Sequence, residues 1–160
     1  MNFADTNWLT AVYIEPHPDD TVAVKRREIV DRFMRRHGGQ LVISHVVLLE
    51  ARNVFSRVTG EREPREWEVL EADFDGRLYV DPMNWDILRQ ECHNLFFKYA
   101  WKAAVGTFDT AIVASVKLVG GTRFLSFDAT AKALAAAEGI EVFPGLDAAE
   151  KQLVTRLKHK

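Results

Sequence analysis

The chain has 160 residues, of which 48% are hydrophobic, and the formal net charge is −2 from 21 basic and 23 acidic side chains. This much apolar material can form one domain with a substantial core. The charge excludes a global electrostatic attraction to a polyanion such as nucleic acid, so any such contact would depend on local patches or on a bound metal ion.

No apolar stretch reaches the roughly 20 residues that span a bilayer, and the N-terminus lacks the pattern of a secretion signal. We therefore expect a cytoplasmic protein without a membrane partner. Cys92 is the only cysteine, so an internal disulfide is impossible and a reducing compartment is compatible.

The first elements are a short strand and a long amphipathic helix. Residues 1–4 predict a strand that ends at Asp5, because turn-forming residues follow. After a proline-containing loop, an apolar stripe predicts a helix over residues 21–36. A second buried strand is expected at residues 40–43, and Ser44 is suited to cap the next helix.

The middle of the chain continues the alternation of helix and strand. Glu50 falls near the second turn of the helix that Ser44 begins. Pro64 favours a further helix to about residue 74, and a third strand is expected at residues 77–80. Residues 83–102 predict the longest helix of the chain.

The last third adds two strands and three helices. Thr107 is a candidate cap for a helix over residues 107–119, which places Asp109 in its first turn. A fourth strand at residues 122–126 leads to Asp128. The remaining predicted elements are a helix at 129–138, a strand at 140–143 and an accessory helix near 147–160. Together the pattern predicts a single α/β domain with a mainly parallel sheet.

Four acidic residues fall at or near the ends of these elements: Asp5, Glu50, Asp109 and Asp128. Ligands of open parallel sheets bind beyond the carboxyl ends of the strands, so these side chains are expected to meet in one crevice. Clustered carboxylates repel one another unless a cation offsets the field. Hard oxygen ligands favour Mg²⁺ or Mn²⁺ over zinc. The pattern therefore predicts a metal site, and our leading hypothesis is a metal-dependent nuclease.

Polar neighbours could support such a site. An Asp at a strand end is more often only a turn or cap residue. Hydrogen-bonding partners near the four acids strengthen the functional interpretation. The candidates are Asn7, Ser44, Asn53 and Ser126.

Four separate motifs resemble the PIN-domain nucleases, and especially the toxin ribonucleases of the virulence-associated protein C (VapC) type. They cover the chain from Met1 to about Phe143, in the order typical of that family. The motifs are Phe3-Ala4-Asp5-Thr6-Asn7, Ser44 through Glu50 to Asn53, Asp109-Thr110-Ala111 with Ala114, and Ser126-Phe127-Asp128.

The resemblance implies a three-layer α/β/α fold and a Mg²⁺- or Mn²⁺-dependent endoribonuclease. It also implies a homodimer and an antitoxin partner whose tail occupies the active groove. Asp5 would be the central metal ligand, Glu50 and Asp109 would complete the main site, and Asp128 would hold a second ion or a metal-bound water. Asn7 and Ser126 would orient the carboxylates. Because Asp109 is the only acid between Thr107 and Phe127, whereas many relatives add another, we expect a single tightly held ion.

Two groups of cations are candidates for substrate contacts. Lys98 and Lys102 lie one helical turn apart, shortly before the Asp109 motif, and could steer RNA toward the acids. Aromatic neighbours could stack on bases; they are Phe96, Phe97 and Trp101. The basic face of the helix at 21–36, which includes Arg26, is more simply explained as solvated.

Two rival functions remain open. A non-catalytic module could use the acids to bind a structural ion or a basic segment of a partner. An aspartyl phosphatase of the haloacid-dehalogenase type would also begin with an Asp after strand one, but it expects a second Asp two residues later. Asn7 occupies that position and cannot transfer the proton, so the phosphatase ranks lower.

Overall fold

A computed structural model describes residues 1–160 and contains a five-stranded, wholly parallel sheet. The strands are β1 (Asn2–Ala4), β2 (Leu41–Ser44), β3 (Leu78–Asp81), β4 (Arg123–Leu125) and β5 (Glu141–Phe143). Their spatial order is β3-β2-β1-β4-β5. The first strand is therefore central, and β4 pairs with it although more than a hundred residues separate them in sequence.

Eight helices connect and flank the strands. Their bounds are α1 (Thr6–Tyr13), α2 (Thr21–His37), α3 (His45–Thr59), α4 (Arg65–Ala72), α5 (Trp85–Tyr99), α6 (Thr107–Val119), α7 (Ala129–Ala137) and α8 (Ala148–Lys158). Helix α1 packs on α2, α3 and α4, while α6 packs on α5 and α7. The result is the expected three-layer α/β/α sandwich. None of the helices is both long and apolar enough to cross a bilayer.

Three details differ from the sequence-based prediction. Helix α1 was not predicted, because Thr6, Asn7 and Thr10 have low helix propensity; burial of Trp8 and Leu9 in the core stabilises it. Helix α5 ends at Tyr99, so the 17-residue α2 is the longest helix. Gly106, rather than Thr107, occupies the N-cap position of α6.

The core lies on both sides of β1. Phe3, Trp8 and Phe124 are fully buried, and the Trp8 ring stacks on Phe127 with centroids 5.4 Å apart. Phe127 lies between Ser126 and Asp128, so the segment that follows β4 is anchored to α1 by aromatic packing. The polar residues on either side of Phe127 are thereby held in fixed positions.

The C-terminal helix α8 packs on α7. Lys132 of α7 and Glu150 of α8 form a buried ion pair with 2.9 Å between Nζ and Oε2. Leu157 is fully buried, and Asp147 and Glu150 form a reciprocal capping box at the start of α8. The terminal helix is thus integrated with the rest of the structure by both polar and apolar contacts.

Candidate active site

Two of the four predicted acids come within three residues of the ends of neighbouring strands. Asp5 comes after β1 and caps α1, where its Oδ1 accepts a hydrogen bond from Thr6 N at 2.7 Å. Asp128 follows β4 and caps α7, where its Oδ1 accepts one from Ala131 N at 2.7 Å. Because β1 and β4 are parallel neighbours, both carboxylates lie at the same edge of the sheet.

The other two acids are carried by helices that meet at this edge. Glu50 is in α3 and Asp109 is in the first turn of α6, and these two helices are in contact. Gly106 leaves room for Asp109, since a Cβ at that position would stand 3.2 Å from its Oδ2. All four carboxylates line one cleft of about 700 Å³. The structure therefore brings together the four acids that the sequence singled out.

The electrostatics of the cleft reflect burial and mutual repulsion. Asp5 is only 3% exposed, and burial, followed by the charges of Glu50 and Asp128, raises its pKa to about 6. Burial together with the charges of Asp128 and Asp5 raises the pKa of Asp109 to about 6. The pKa of Glu50 is raised by burial and by Asp109. Such mutually raised values identify a cluster in which a cation would be stabilised.

A hydrogen-bond network fixes the positions of Asp5 and Asp128 relative to each other. Ser126 Oγ donates to Asp5 Oδ2 at 2.6 Å and accepts from Asp128 N at 3.0 Å. Asn7 accepts from Phe127 N at 3.0 Å and lies 3.5 Å from Ser126 Oγ through its amide nitrogen. Ser126 and Asn7 are thus positioned to orient the carboxylates of Asp5 and Asp128.

Two buried oxygens in the cleft lack partners. Thr6 Oγ1 and Glu50 Oε2 are inaccessible to solvent and make no hydrogen bond of good geometry, although the Thr6 hydroxyl lies near enough to the Glu50 carboxylate to lower its pKa. A buried carboxylate oxygen without a donor costs free energy, and a hard cation would satisfy it. The sequence indicates Thr6 only as a turn residue, although its position directly after Asp5 is a signal that it lies near the site.

No three Asp, Glu, His or Cys side chains anywhere in the chain already converge as a closed ligand set. The carboxylates instead line an open cleft. An open arrangement of this kind is compatible with a hard divalent ion, which needs only one or two direct carboxylate ligands.

Ser44 and Asn53 do not contact the acids. Ser44 is buried and caps α3, accepting a hydrogen bond from Val47 N at 3.3 Å. Asn53 is exposed and forms no hydrogen bond to any of the four carboxylates. Ser44 therefore acts at a distance by fixing the start of the helix that carries Glu50.

Lys98 and Lys102 lie on a different surface from the acidic cleft. Lys98 pairs with Glu138 at 3.0 Å, and Lys102 donates to the carbonyl of Leu157 at 2.8 Å. The two lysines are close to Asp109 in sequence but not in space, because α5 ends at Tyr99 and a loop separates it from α6, which carries Asp109. Both lysines border a hollow with the exposed rings of Phe97 and Trp101. We call this hollow the aromatic–lysine surface.

Fold and site together define an α/β protein with a carboxylate-lined cleft beyond the carboxyl edge of a parallel sheet. The PIN domain model matches residues 3–137. The chain therefore belongs to the PIN domain family, which confirms the resemblance found in its motifs.

Among the solved structures that share this fold are two bacterial proteins. One is VapC20 of Mycobacterium tuberculosis, described as a toxin that cleaves the sarcin–ricin loop. It has a TM-score of 0.64 and 16% sequence identity, with 83% of this chain and 94% of VapC20 covered. The other is FitAcB from Neisseria gonorrhoeae, with a TM-score of 0.60 and 16% identity over 89% of this chain and 96% of that one. No protein of curated function matches the sequence.

Proposed function

We propose that this PIN domain is an endoribonuclease that depends on Mg²⁺ or Mn²⁺ and hydrolyses RNA phosphodiester bonds. The observation that carries the proposal is the convergence of Asp5, Glu50, Asp109 and Asp128, from four separate elements, in one cleft. Four charges held together at the cost of mutual repulsion are poorly explained as structural caps.

The residues of the cleft fit a hard divalent ion. In the proposed arrangement Asp5 is the central ligand, because it is the most deeply buried acid and two hydrogen bonds fix its orientation. Glu50 and Asp109 complete the site, and the unpartnered Oε2 of Glu50 is available for coordination. A bound ion would lower the pKa of an attacking water and stabilise the developing charge on phosphate oxygens.

The roles of the remaining residues follow from their contacts. Asp128 accepts from Ala131 N through Oδ1 only, so its Oδ2 is available to hold a second ion or a metal-bound water. Ser126 and Asn7 keep Asp5 and Asp128 aligned. Because Asp109 is the only acid between Thr107 and Phe127, we propose one tightly held ion, with the site filled further when substrate phosphate enters.

The likeness to VapC20 supports a more specific biological role. We propose that the protein is the toxin of a toxin–antitoxin pair, acts on RNA in the cytoplasm as a homodimer, and is restrained by an antitoxin. The whole chain, with α8 as an accessory helix, forms the single nuclease domain. Lys98 and Lys102 would contact RNA segments outside the cleft, through the aromatic–lysine surface.

Incubation of the purified protein with assorted RNAs tests the central proposal. We expect endonucleolytic cuts with Mg²⁺ or Mn²⁺, none with EDTA, and none from folded Asp5→Asn. Cleavage that persists in Asp5→Asn would indicate a contaminant or another site.

A non-catalytic binding module is the second candidate, and the absence of a preformed ligand trio favours it. It predicts metal or partner binding without RNA cleavage by wild-type protein. The phosphatase has less support, because Asn7 is engaged with Phe127 N and cannot exchange the required proton. Covalent phosphorylation of Asp5 by a small phosphomonoester would revive it.

A further inference from the structure

The cleft has a strongly unbalanced charge. Eight of its lining residues carry carboxylates: Asp5, Glu15, Asp20, Glu50, Glu61, Glu66, Asp109 and Asp128. Arg26 is the one permanent cation among the lining residues, and Arg57, which is not among them, lies near enough to Glu50 to lower its pKa. An RNA strand entering this cleft meets repulsion that a single metal ion offsets only in part. A fixed positive group at the wall of the cleft would reduce this repulsion.

Arg26 is held at the wall of the cleft without using its hydrogen-bonding groups. It is half-buried on α2, and its guanidinium lies 5.1 Å from the centre of the Phe127 ring. It forms no ion pair and no hydrogen bond with the protein, whereas its neighbour Arg27 is paired with Asp31. The five N–H donors of Arg26 remain available to a ligand.

The support beneath Arg26 is rigid. Phe127 stacks on the fully buried Trp8, and the backbone of Phe127 is fixed by Asn7 at 3.0 Å. A planar guanidinium on an aromatic face is restricted in orientation, which lowers the entropy lost when it binds a phosphate. Arg26 lines the same cleft as the four acids, so its guanidinium is available to a strand that enters there.

We propose that Arg26 binds a phosphate of the RNA strand next to the scissile bond and so positions the backbone over the carboxylates. This inference rests on the proposed ribonuclease function and adds a substrate-positioning residue to it. The chemistry suits Arg in particular, because a planar fork can engage two phosphate oxygens together.

The test is binding of a short fluorescein-labelled single-stranded RNA, measured by anisotropy in EDTA over a range of salt concentrations. Arg26→Ala is expected to weaken binding about tenfold. It should also flatten the slope of log affinity against log salt by about 0.7, the value for one phosphate contact on a single strand. Arg26→Lys should retain the slope and lose part of the affinity. If Arg26→Ala does not fold, Arg26→Gln, which keeps the aliphatic stem over Phe127, carries the same test.

Arg32→Ala is the matched control, because Arg32 is an exposed arginine on the same helix that forms no ion pair and lies outside the cleft. It should leave affinity and slope unchanged. Equal losses in Arg32→Ala and Arg26→Ala would mean that the whole basic face of α2 binds RNA, and would overturn the specific role. If wild type binds and cleaves RNA but Arg26→Ala has an unchanged salt slope, the role of Arg26 is overturned while the ribonuclease proposal stays intact. A wild-type protein that neither binds nor cleaves RNA would instead overturn the proposed function.

Steady-state cleavage with Mn²⁺ provides a second readout. A positioning role predicts that Arg26→Ala raises KM by about tenfold, with a smaller fall in kcat. A fall in kcat alone would contradict phosphate binding in the ground state. Circular dichroism and thermal unfolding of each variant separate these effects from loss of fold.

Discussion

Ser126 Oγ donates a hydrogen bond of 2.6 Å to Asp5 Oδ2, although the two residues are 121 positions apart in the chain. The same oxygen accepts from the backbone N–H of Asp128. One hydroxyl therefore couples the orientation of the most buried acid to the start of α7. This coupling makes Ser126 a sensitive point of the site.

Replacing Ser126 with Ala should impair the site without removing any of the four acids. The change leaves Asp5 Oδ2 without its donor, which raises the pKa of Asp5 further above about 6 and costs about 1 to 3 kcal/mol of stability. The acid limb of the cleavage rate against pH, measured at fixed Mn²⁺, should move to higher pH. Ser115→Ala removes a buried hydroxyl that bonds only within α6 and should leave the limb in place. An unshifted limb in Ser126→Ala would contradict the coupling.

The metal-free protein should lose stability as the pH rises from about 4 to above 6. Asp5 has its pKa raised from 3.8 to about 6 on folding, so its protonated form is favoured in the folded state. Its contribution is complete below the unfolded pKa and is lost as the pH rises through the folded one. The full shift corresponds to roughly 3 kcal/mol, and the less buried Asp109 adds in the same direction.

Asp5→Asn isolates this contribution. Asn can still accept from Thr6 N, so the start of α1 keeps its cap. In urea unfolding with EDTA, the variant should equal or fall below wild type near pH 4 and exceed it by about 1 to 3 kcal/mol at pH 7.5. A variant less stable than wild type at both pH values would show that Asp5 acts mainly as a structural cap.

Divalent ions should stabilise the folded chain. Saturating Mn²⁺ at about 100 times its Kd adds about 2.7 kcal/mol, which a thermal unfolding assay detects as a higher Tm that EDTA reverses. Asp109→Asn should lose most of this increase. Asp19→Asn, an exposed acid that does not line the cleft, should retain it. Calorimetric titration giving two tight ions per chain would contradict the single-ion proposal.

The aromatic–lysine surface should influence long substrates only. Trp101 is 72% exposed and lies 5.2 Å from the Lys102 ammonium, and loss of one stacked base costs about 1 to 3 kcal/mol. Trp101→Ser should weaken binding of long RNAs several-fold and leave short ones unaffected. Trp85→Ser changes another exposed tryptophan outside this surface and should have no effect. Equal affinity of Trp101→Ser and wild type for long RNA would remove this surface from substrate binding.

Helix α8 should prove essential to the stability of the domain. Lys132→Met leaves Glu150 buried without its cation and should cost about 3 to 5 kcal/mol in urea unfolding. Lys132→Met combined with Glu150→Gln should recover most of this loss, because Gln can still complete the capping box. Near wild-type stability of Lys132→Met alone would show that α8 contributes little to the cooperative unfolding of the domain.

Much of the architecture could be predicted from local signals. Ser44 begins α3 as its cap propensity indicated, and the alternation of elements predicted the parallel sheet. Asp5 and Asp128 could be placed at one edge because strand ends of a parallel sheet share a direction. Glu50 and Asp109 joined them through the contact of α3 with α6, which the family motifs implied and propensity alone did not.

Other features depend on packing that local sequence does not encode. Helix α1 forms from residues of low propensity because Trp8 and Leu9 are buried. Lys98 and Lys102 are predicted to lie near the acids, but the loop after Tyr99 separates them from α6, and both lie on a different surface. Arg26 could not be distinguished from the other cations of α2 until its contact with Phe127 was known.

The pairing of β1 with β4 also determines when, during synthesis of the chain, the carboxylate cluster can assemble. Asp5 N donates to the carbonyl of Leu125 at 3.0 Å, so the first acid gains its final environment only after most of the polypeptide has been synthesised. Pairing between such distant segments is slow relative to local contacts. A nascent chain still on the ribosome would therefore carry an incomplete cluster until Asp128 had emerged from the exit tunnel, which delays any hydrolytic capacity until translation is nearly finished.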